Sequence, residues 1–452
     1  MGSEIILILL VLLFVLILLG FHIGIVLGLI SGLGVYLIIG SAEAALSIIS
    51  STAYDAVRNQ IFAVIPLFVL MGDIIAKSGA ATDLYRLCDR GLARLPGRLS
   101  VATVAGNAVF AAVTGVSVAS AATFSRIAYP EMRKYGYDRR FALGSIAGSA
   151  CLGMLIPPSI LLIVWAILTE LSVGALFVAG VVPGLVLTFV FVAYNVIKAI
   201  RNPELAPRIE VDPSEMETPQ ERRSSQLGGI GILALIILVI GGIWGGFFTP
   251  SEAAGVGVVG ALVLGLAKGM RGKELMQAIY DAGKTTAPIL FLLITASMYS
   301  RLLAFGGIVN IIQDFFDGLG VSPAMLVLII AIIWLLLGMV IDSVSIILLT
   351  VPIFAPMVVA TGFDPIAFAI FGILVIEAGL LTPPLWVAGL YCQRICPRPR
   401  RYIGRHLYRL YALFDYDFVC GISDLGVPGT GDRLAGNYVK WHGKSFRWFF
   451  PQ

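Results

Sequence analysis

Two short stretches of this chain place hydroxyls and a carboxylate where protein buried in hydrocarbon could hold a hard cation. Thr114, Ser117 and Ser120 bracket a break at Gly115, and Asp342, Ser343 and Ser345 interrupt an otherwise apolar run. Oxygen ligands of this kind suit a cation such as sodium. A carboxylate inside a membrane span costs roughly 3 kcal/mol and defaults to a functional role, so Asp342 is the sharpest single candidate. Where a helix stops, its last carbonyls can coordinate a cation and its first amides can meet an anion.

The elements that must position these groups are written twice. Pro130, Gly136, Gly153, Pro157 and Pro158 recur as Pro356, Gly362, Gly379, Pro383 and Pro384, each pair 226 positions apart. In both copies Gly-x-x-x-Pro-Pro interrupts an apolar run, GMLIPPSI at 153–160 and GLLTPPLW at 379–386, the second with Thr382 just before its prolines. Adjacent prolines remove two amide donors and block helical bonds. In lipid such a break survives only where it is buried in protein or lines a cavity. One break alone carries little weight, because Gly and Pro are common in membrane helices. Two at matching places point to a transporter's binding site. The small residues around the first hydroxyls, Ala111, Ala112, Ala119, Ala121 and Ala122, read as close helix packing.

With 58% hydrophobic and 13% charged residues and a mean hydropathy of +0.95, the chain reads as an all-α polytopic membrane protein. Segments able to cross, at about 20 residues each, fall near 3–20, 21–40, 61–77, 141–168, 172–198, 228–248, 251–268, 285–304 and 363–390. Segments 100–126 and 322–352 break in the middle, at 114–115 and near 338–342. The first has basic residues on both flanks, Arg86 to Arg98 before it and Arg126 to Arg140 after it. The second has Asp314 and Asp317 before it and Asp364 after it, with no Lys or Arg in either flank. The positive-inside rule makes the first a re-entrant hairpin from the cytoplasm and the second one from outside. That is an inverted-topology repeat with two hairpins and two broken helices.

On this reading the first repeat is 1–198, a proline-rich cytoplasmic linker is 199–227, the second repeat is 228–390, and 391–452 is an atypical tail. Segments 44–60 and 270–284 read as amphipathic helices at opposite interfaces. Glu252, after Thr249-Pro250-Ser251, reads as a helix cap, and Arg301 as an anchor at the end of 285–304. Five cysteines are too few and scattered for a disulfide scaffold. No basic patch argues for nucleic acid.

The stretch TGVSVASAATFSRIAYPEMRKYGYDRRFALGSIAGSACLGMLIPPSI (114–160) resembles the large membrane subunit of tripartite ATP-independent periplasmic (TRAP) transporters. PLFVLMGDII (66–75), GGIWGGFFTPSEAA (241–254) and GMVIDSVSIILLTVPIFAPMVVATGFDPIAF (338–368) extend the resemblance, which runs to about Pro384. It implies a sodium-coupled elevator transporter in the bacterial inner membrane, with no chemical step and sodium as coupling ion rather than a cofactor. It also implies three partners: a small membrane subunit, a periplasmic binding protein, and an organic acid such as a dicarboxylate or sugar acid. By that similarity Thr114, Gly115 and Ser117 with Gly153, Pro157 and Pro158 form one sodium site. Asp342, Ser343 and Ser345 with Gly379, Thr382 and Pro383 form another.

After Pro384 the pattern fails. The offset maps 172–198 onto 398–424, where RPRRYIGRHLYRLYALFDYDFVCGISD cannot cross a bilayer without burying Arg and Asp. The family pattern also has Gly where this chain has Trp386. A reading-frame slip shortly after Pro384 accounts for both failures; the alternative is a genuine basic, aromatic tail at the membrane surface. Two other functions compete. A self-sufficient sodium-coupled anion transporter of the same superfamily would need no binding protein. An intramembrane hydrolase would need a paired nucleophile and base, and His22 is the only histidine before the tail.

Overall fold

The computed structural model describes residues 2–207, 219–318 and 320–382, and the regular structure among them is helical. The chain opens with α1 (Gly2–Leu18), α2 (Ile23–Ile39) and α3 (Ala42–Arg58), then a 3-10 turn leads into α4 (Val64–Lys77) and α5 (Ala80–Gly91). The first hairpin is α6 (Arg98–Thr114) and α7 (Ser117–Lys134). The first broken helix is α8 (Arg139–Ala150), a 3-10 turn at Cys151–Met154, and α9 (Ile160–Thr169), followed by α10 (Val173–Arg201). The second half runs α11 (Pro219–Trp244), α12 (Pro250–Ala267), α13 (Gly272–Gly306) and α14 (Ile308–Gly318). Its hairpin is α15 (Pro323–Gly338) with α16 (Ser343–Ala360), and α17 (Pro365–Leu381) follows.

Local chemistry sets these ends. Ser41, Ser159, Ser172, Ser322 and Asp364 each cap a helix by accepting the amide three residues on, which satisfies one of the four orphan donors there. Thr249 and Glu252 form a reciprocal capping box on α12, the role expected of Glu252. Its carboxyl is therefore tied down at a helix start, where negative charge is favoured.

The offset seen in the sequence recurs in the elements. Shifting α7 by 226 positions reproduces both ends of α16, and shifting α8 starts it at the first residue of α17. Within the described chain two sets of helices pack together, and α5 lies against both, on α11 and on α6. One joins α1–α4 to α11–α13, and the other joins α6–α10 to α15–α17. In the second group Trp165 of α9, Trp334 of α15 and Phe368 of α17 interlock, with centroids 5.8, 5.8 and 5.2 Å apart. Such aromatic pairs contribute about 0.5–1.5 kcal/mol each beyond burial. The Trp334 indole donates to Thr350 Oγ1 at 2.8 Å, so its polar atom is satisfied in an apolar core. Gly372 admits the stack: a Cβ there would lie 2.7 Å from Trp165.

Several boundaries differ from the sequence reading. Segments 270–284 and 285–304 are not an interfacial helix and a separate span but one 35-residue helix, α13. Gly283 and Pro288 flank the change from polar to apolar composition near Lys284, and the helix accommodates both in its interior. The linker is shorter than 199–227, because α10 runs to Arg201 and α11 already begins at Pro219. α5 and α14 were not expected as helices. Among the described residues six helices are long and apolar enough to cross a membrane: 60–77, 173–201, 222–244, 250–267, 272–306 and 343–360. α1 and α2 are shorter, at 17 residues each, near the lower limit for a span. Segment 141–168 is divided by its break, and 363–390 is described only through Thr382.

Candidate functional site

At the first tip α6 stops because Gly115 turns into the left-handed region, φ 61°. A side chain could not stand there, since its Cβ would lie 2.5 Å from the Pro158 carbonyl oxygen. This close approach puts the tip against the first break, and the Ile160 amide donates to the Gly115 carbonyl at 3.3 Å. Gly153 faces the other side of the same tip, where a Cβ would sit 3.1 Å from the Val116 carbonyl carbon. Thr114 Oγ1 donates to Phe110 O at 3.1 Å and lies 3.3 Å from Ser120 Oγ. Ser117 opens α7 and is 3% exposed, and its hydroxyl has no hydrogen-bond partner. With the Thr114 and Ser120 hydroxyls and the carbonyls at the end of α6, it makes an oxygen-rich set of the kind that fits a hard cation. Thr114, Gly115, Ser117, Gly153 and Pro158 thus come together as expected. Pro157 turns toward α10 instead, 3.6 Å from the Cβ position of Gly180.

The second tip is built differently. Gly338 at the end of α15 touches Gly379 of α17 backbone to backbone: a Cβ on Gly338 would lie 2.8 Å from Gly379 Cα. Asp342 is exposed and caps α16, accepting the Ser345 amide at 3.0 Å and the Ser345 hydroxyl. Its carboxylate is therefore engaged as a helix cap, and Ser345 is engaged with it. Ser343 is buried and donates to Glu377 Oε1 at 2.7 Å. Thr382 Oγ1 turns back to Ala378 O at 2.7 Å. Pro383 and the frame-slip expectation for the tail lie outside the described residues.

Glu377 was missed by the sequence reading. The signal was present, since Glu377 is the one charged residue in α17, and the rule applied to Asp342 applies equally there.

A cleft of about 370 Å³ reaches the first tip between α4, α7 and α13. Thr114 and Val116 line it, with Asp73, Lys77, Arg126 and Asp281. Lys77 Nζ is paired to Asp281 Oδ2 at 2.6 Å, joining α4 to α13.

Helical hairpins and a helix broken within apolar segments define a polytopic helical membrane protein. The chain belongs to the family described as the DctM component of tripartite ATP-independent periplasmic transporters, whose model matches residues 10–413. The match runs past Pro384, further than the motif pattern indicated. Similar proteins include the C4-dicarboxylate TRAP transporter large permease protein DctM of Pseudomonas aeruginosa, 34% identical over 324 residues, 71% of this chain and 74% of that one. The ectoine TRAP transporter large permease protein TeaC of Halomonas elongata is 29% identical over 372 residues, 81% and 84% of the two chains. The sialic acid TRAP transporter large permease protein SiaM of Vibrio cholerae is 28% identical over 339 residues, 73% and 76%. In fold the chain is similar to the Alcanivorax borkumensis YdaH transporter, with TM-score 0.57 at 16% identity, over 85% of this chain and 90% of that one.

Proposed function

We propose that this chain is the membrane permease of a sodium-coupled importer in a bacterial inner membrane, taking a small organic acid from a periplasmic binding protein and working with a small membrane subunit. The observation that carries the reading is the buried, unpartnered hydroxyl of Ser117, placed where the tip of α6–α7 meets the break before α9. Two helix ends converge there, and their amides and carbonyls supply partial charges of both signs. Sodium, when bound, would meet the hydroxyl and carbonyl oxygens of the tip and couple its movement to substrate. Thr114 and Ser117 hold it, and Gly115 lets the chain turn tightly enough to do so.

The adjoining cleft is the substrate's place. Arg126 on the hairpin offers a cation to a carboxylate, while Lys77 on α4 is held by Asp281, and the cleft runs between α4, α7 and α13. Movement of the α6–α10 and α15–α17 group against the other, as in an elevator, would open the cleft first to one side and then to the other. The charge asymmetry of the two hairpin flanks supports an inverted repeat, which such a motion requires. Membership of the tripartite family favours delivery by a binding protein over self-sufficient uptake. The named cargoes of the relatives, C4-dicarboxylates and sialic acid, support an organic acid.

The test is reconstitution of the full chain with its small subunit and binding protein, and uptake of candidate acids with and without a sodium gradient. Uptake that needs both sodium and the binding protein is expected. Uptake unchanged without sodium would remove the coupling, and uptake unchanged without the binding protein would favour the self-sufficient alternative.

A further inference from the structure

A second cavity, of about 380 Å³, lies between α8 and α10 and shares no residue with the cleft at the first tip. Arg140, Gly144 and Gly148 line it from α8, and Val190, Phe191 and Tyr194 from α10. The two helices run antiparallel. Ser145 Oγ donates to Asn195 Oδ1 at 2.6 Å, and the Asp138 amide before α8 donates to Leu205 O beyond α10 at 3.0 Å. One side of the molecule therefore gathers Arg139, Arg140, Lys198 and Arg201. The positive-inside rule puts that side in the cytoplasm. Arg140 is exposed, and Lys198 Nζ lies 5.9 Å from the centroid of the Tyr194 ring. Among the described residues neither cation is in an ion pair, and no carboxylate lines the cavity. The adjacent Asp138 caps α8, accepting the Arg140 and Phe141 amides.

Deeper in, the polar groups are tied up by the protein itself. Ser149 Oγ donates to Ser145 O at 2.6 Å, and Asn195 Nδ2 to Phe191 O at 2.8 Å. Gly144 and Gly148 stand one turn apart on α8, and a Cβ at either would meet nothing within 4 Å. Packing does not require glycine at either place, although glycine is a poorer helix former than alanine. Their smallness keeps a trough open. The adjoining face of α10 exposes Val186, Phe189, Ile197 and Ile200, so the trough opens on hydrocarbon. From Arg140 to Gly148 it runs about 12 Å along α8, within the roughly 15 Å of one hydrocarbon leaflet. An occupant with an anion at the interface and an apolar chain below it matches both ends. A second helix needs roughly 400–600 Å³ for a single turn, so it could lie over the trough without entering it.

We propose that this trough binds an anionic phospholipid of the cytoplasmic leaflet, with its phosphate held by Arg140 and Lys198 and one acyl chain laid along Gly144 and Gly148. Basic pockets between membrane helices on the cytoplasmic side recognise such head groups. The site is independent of the sodium and substrate reading above.

The experiment melts the purified full chain in a neutral detergent while phosphatidylglycerol, or phosphatidylcholine with the same acyl chains, is added. Phosphatidylglycerol is expected to raise Tm saturably, and at a lower mole fraction than phosphatidylcholine. Arg140→Gln and Lys198→Gln should each raise the phosphatidylglycerol fraction giving half the shift about fivefold, the factor one basic side chain contributes near an anionic surface. Gly148→Leu fills open space and favours the helix. Its Tm without lipid should equal or exceed the parent's, while the phosphatidylglycerol shift is lost. Should Gly148→Leu fail to fold, the two cation variants decide. Equal responses to the two lipids, or cation variants with the parent's midpoint, would mark an unspecific lipid annulus and overturn the proposal. So would a folded Gly148→Leu variant that keeps the parent's shift. Inorganic phosphate that reproduces the shift at matched ionic strength would mark a free-anion site instead. Co-purification with the small membrane subunit gives the last arm: if Gly148→Leu abolishes it and leaves the lipid response intact, the trough belongs to a helix and the proposal falls.

Discussion

Lys268 Nζ lies 2.6 Å from Asp83 Oδ2, and the two side chains are only 10% and 8% exposed. The pair ties the end of α12 to α5, and Gly228 of α11 is the third wall: a Cβ there would lie 2.1 Å from the same Asp83 oxygen. Lys268 also donates to Ser224 Oγ at 2.7 Å. Three elements therefore converge on one shielded ion pair. Removing one partner strands the other charge, so Asp83→Ala should cost about 3–5 kcal/mol. A double change, Asp83→Leu with Lys268→Met, should recover most of that. Thermal melting of both variants in detergent checks it, and equal losses would show the stranded charge is not the cause.

Gly115→Ala meets two obstacles at once. A left-handed backbone costs a non-glycine residue about 1–2 kcal/mol, and the new Cβ collides with a carbonyl oxygen of the break rather than with a pliable side chain. Tip and break must separate to admit it. Sodium-dependent uptake should fall at least tenfold, with only a modest drop in Tm, measured on the same preparation.

Ser117→Ala and Asp342→Ala should behave in opposite ways. Ser117 forfeits no hydrogen bond within the protein, so its loss should leave Tm nearly unchanged and raise the sodium concentration for half-maximal uptake roughly tenfold. Asp342 caps α16 through the Ser345 amide, so its loss should cost about 0.5–2 kcal/mol of stability with little effect on sodium dependence. A sodium titration of uptake beside a melting curve separates the two.

Cys88 on α5, outside the spanning helices, should react slowly with alkylating agents. Burial and the neighbouring Asp89 charge push its thiol up to about 11. The thiolate is the reactive form, so at pH 8 only about one thiol in a thousand is reactive, against roughly one in four for a free cysteine. Modification should speed up about tenfold per pH unit until near pH 11. Site-resolved mass spectrometry after timed alkylation reads Cys88 apart from the other cysteines, and a rate flat above pH 9 would contradict the shift.

The tail carries its own test. Sequencing the gene should reveal, one base out of frame after the Pro384 codon, a run encoding an apolar helix with the family's Gly two residues after the prolines. A shifted frame without such a run would leave the basic, aromatic tail as genuine.

The hairpins are legible because prolines and glycines are signals of backbone geometry, which act locally. α7 and α16 keep the 226-residue offset, but they run to Lys134 and Ala360, eight residues beyond the ends at 126 and 352 that the sequence suggests. α13 reads as two segments because a change in polarity with Gly283 and Pro288 beside it resembles a boundary, whereas the helix takes both residues into its interior. α5 escaped notice because it is short and amphipathic, with Leu84 and Tyr85 buried and Arg86 exposed. A lone carboxylate in α17 marks Glu377 in the sequence, but its contact with Ser343 joins residues 34 positions apart, which no local pattern encodes.

α13 is longer than a membrane is thick. Its 35 residues span about 52 Å at 1.5 Å per residue, against roughly 30 Å of hydrocarbon. The excess must lean over or stand out in water. The rod carries Asp281 beside Lys77 near one end and flanks α16 of the second hairpin elsewhere along its length. Pro288 is its one internal proline, and the helix continues through it as a single long rod. On the proposed elevator reading, a rod of this length would keep the distance between its own two ends fixed while the hairpins moved against it.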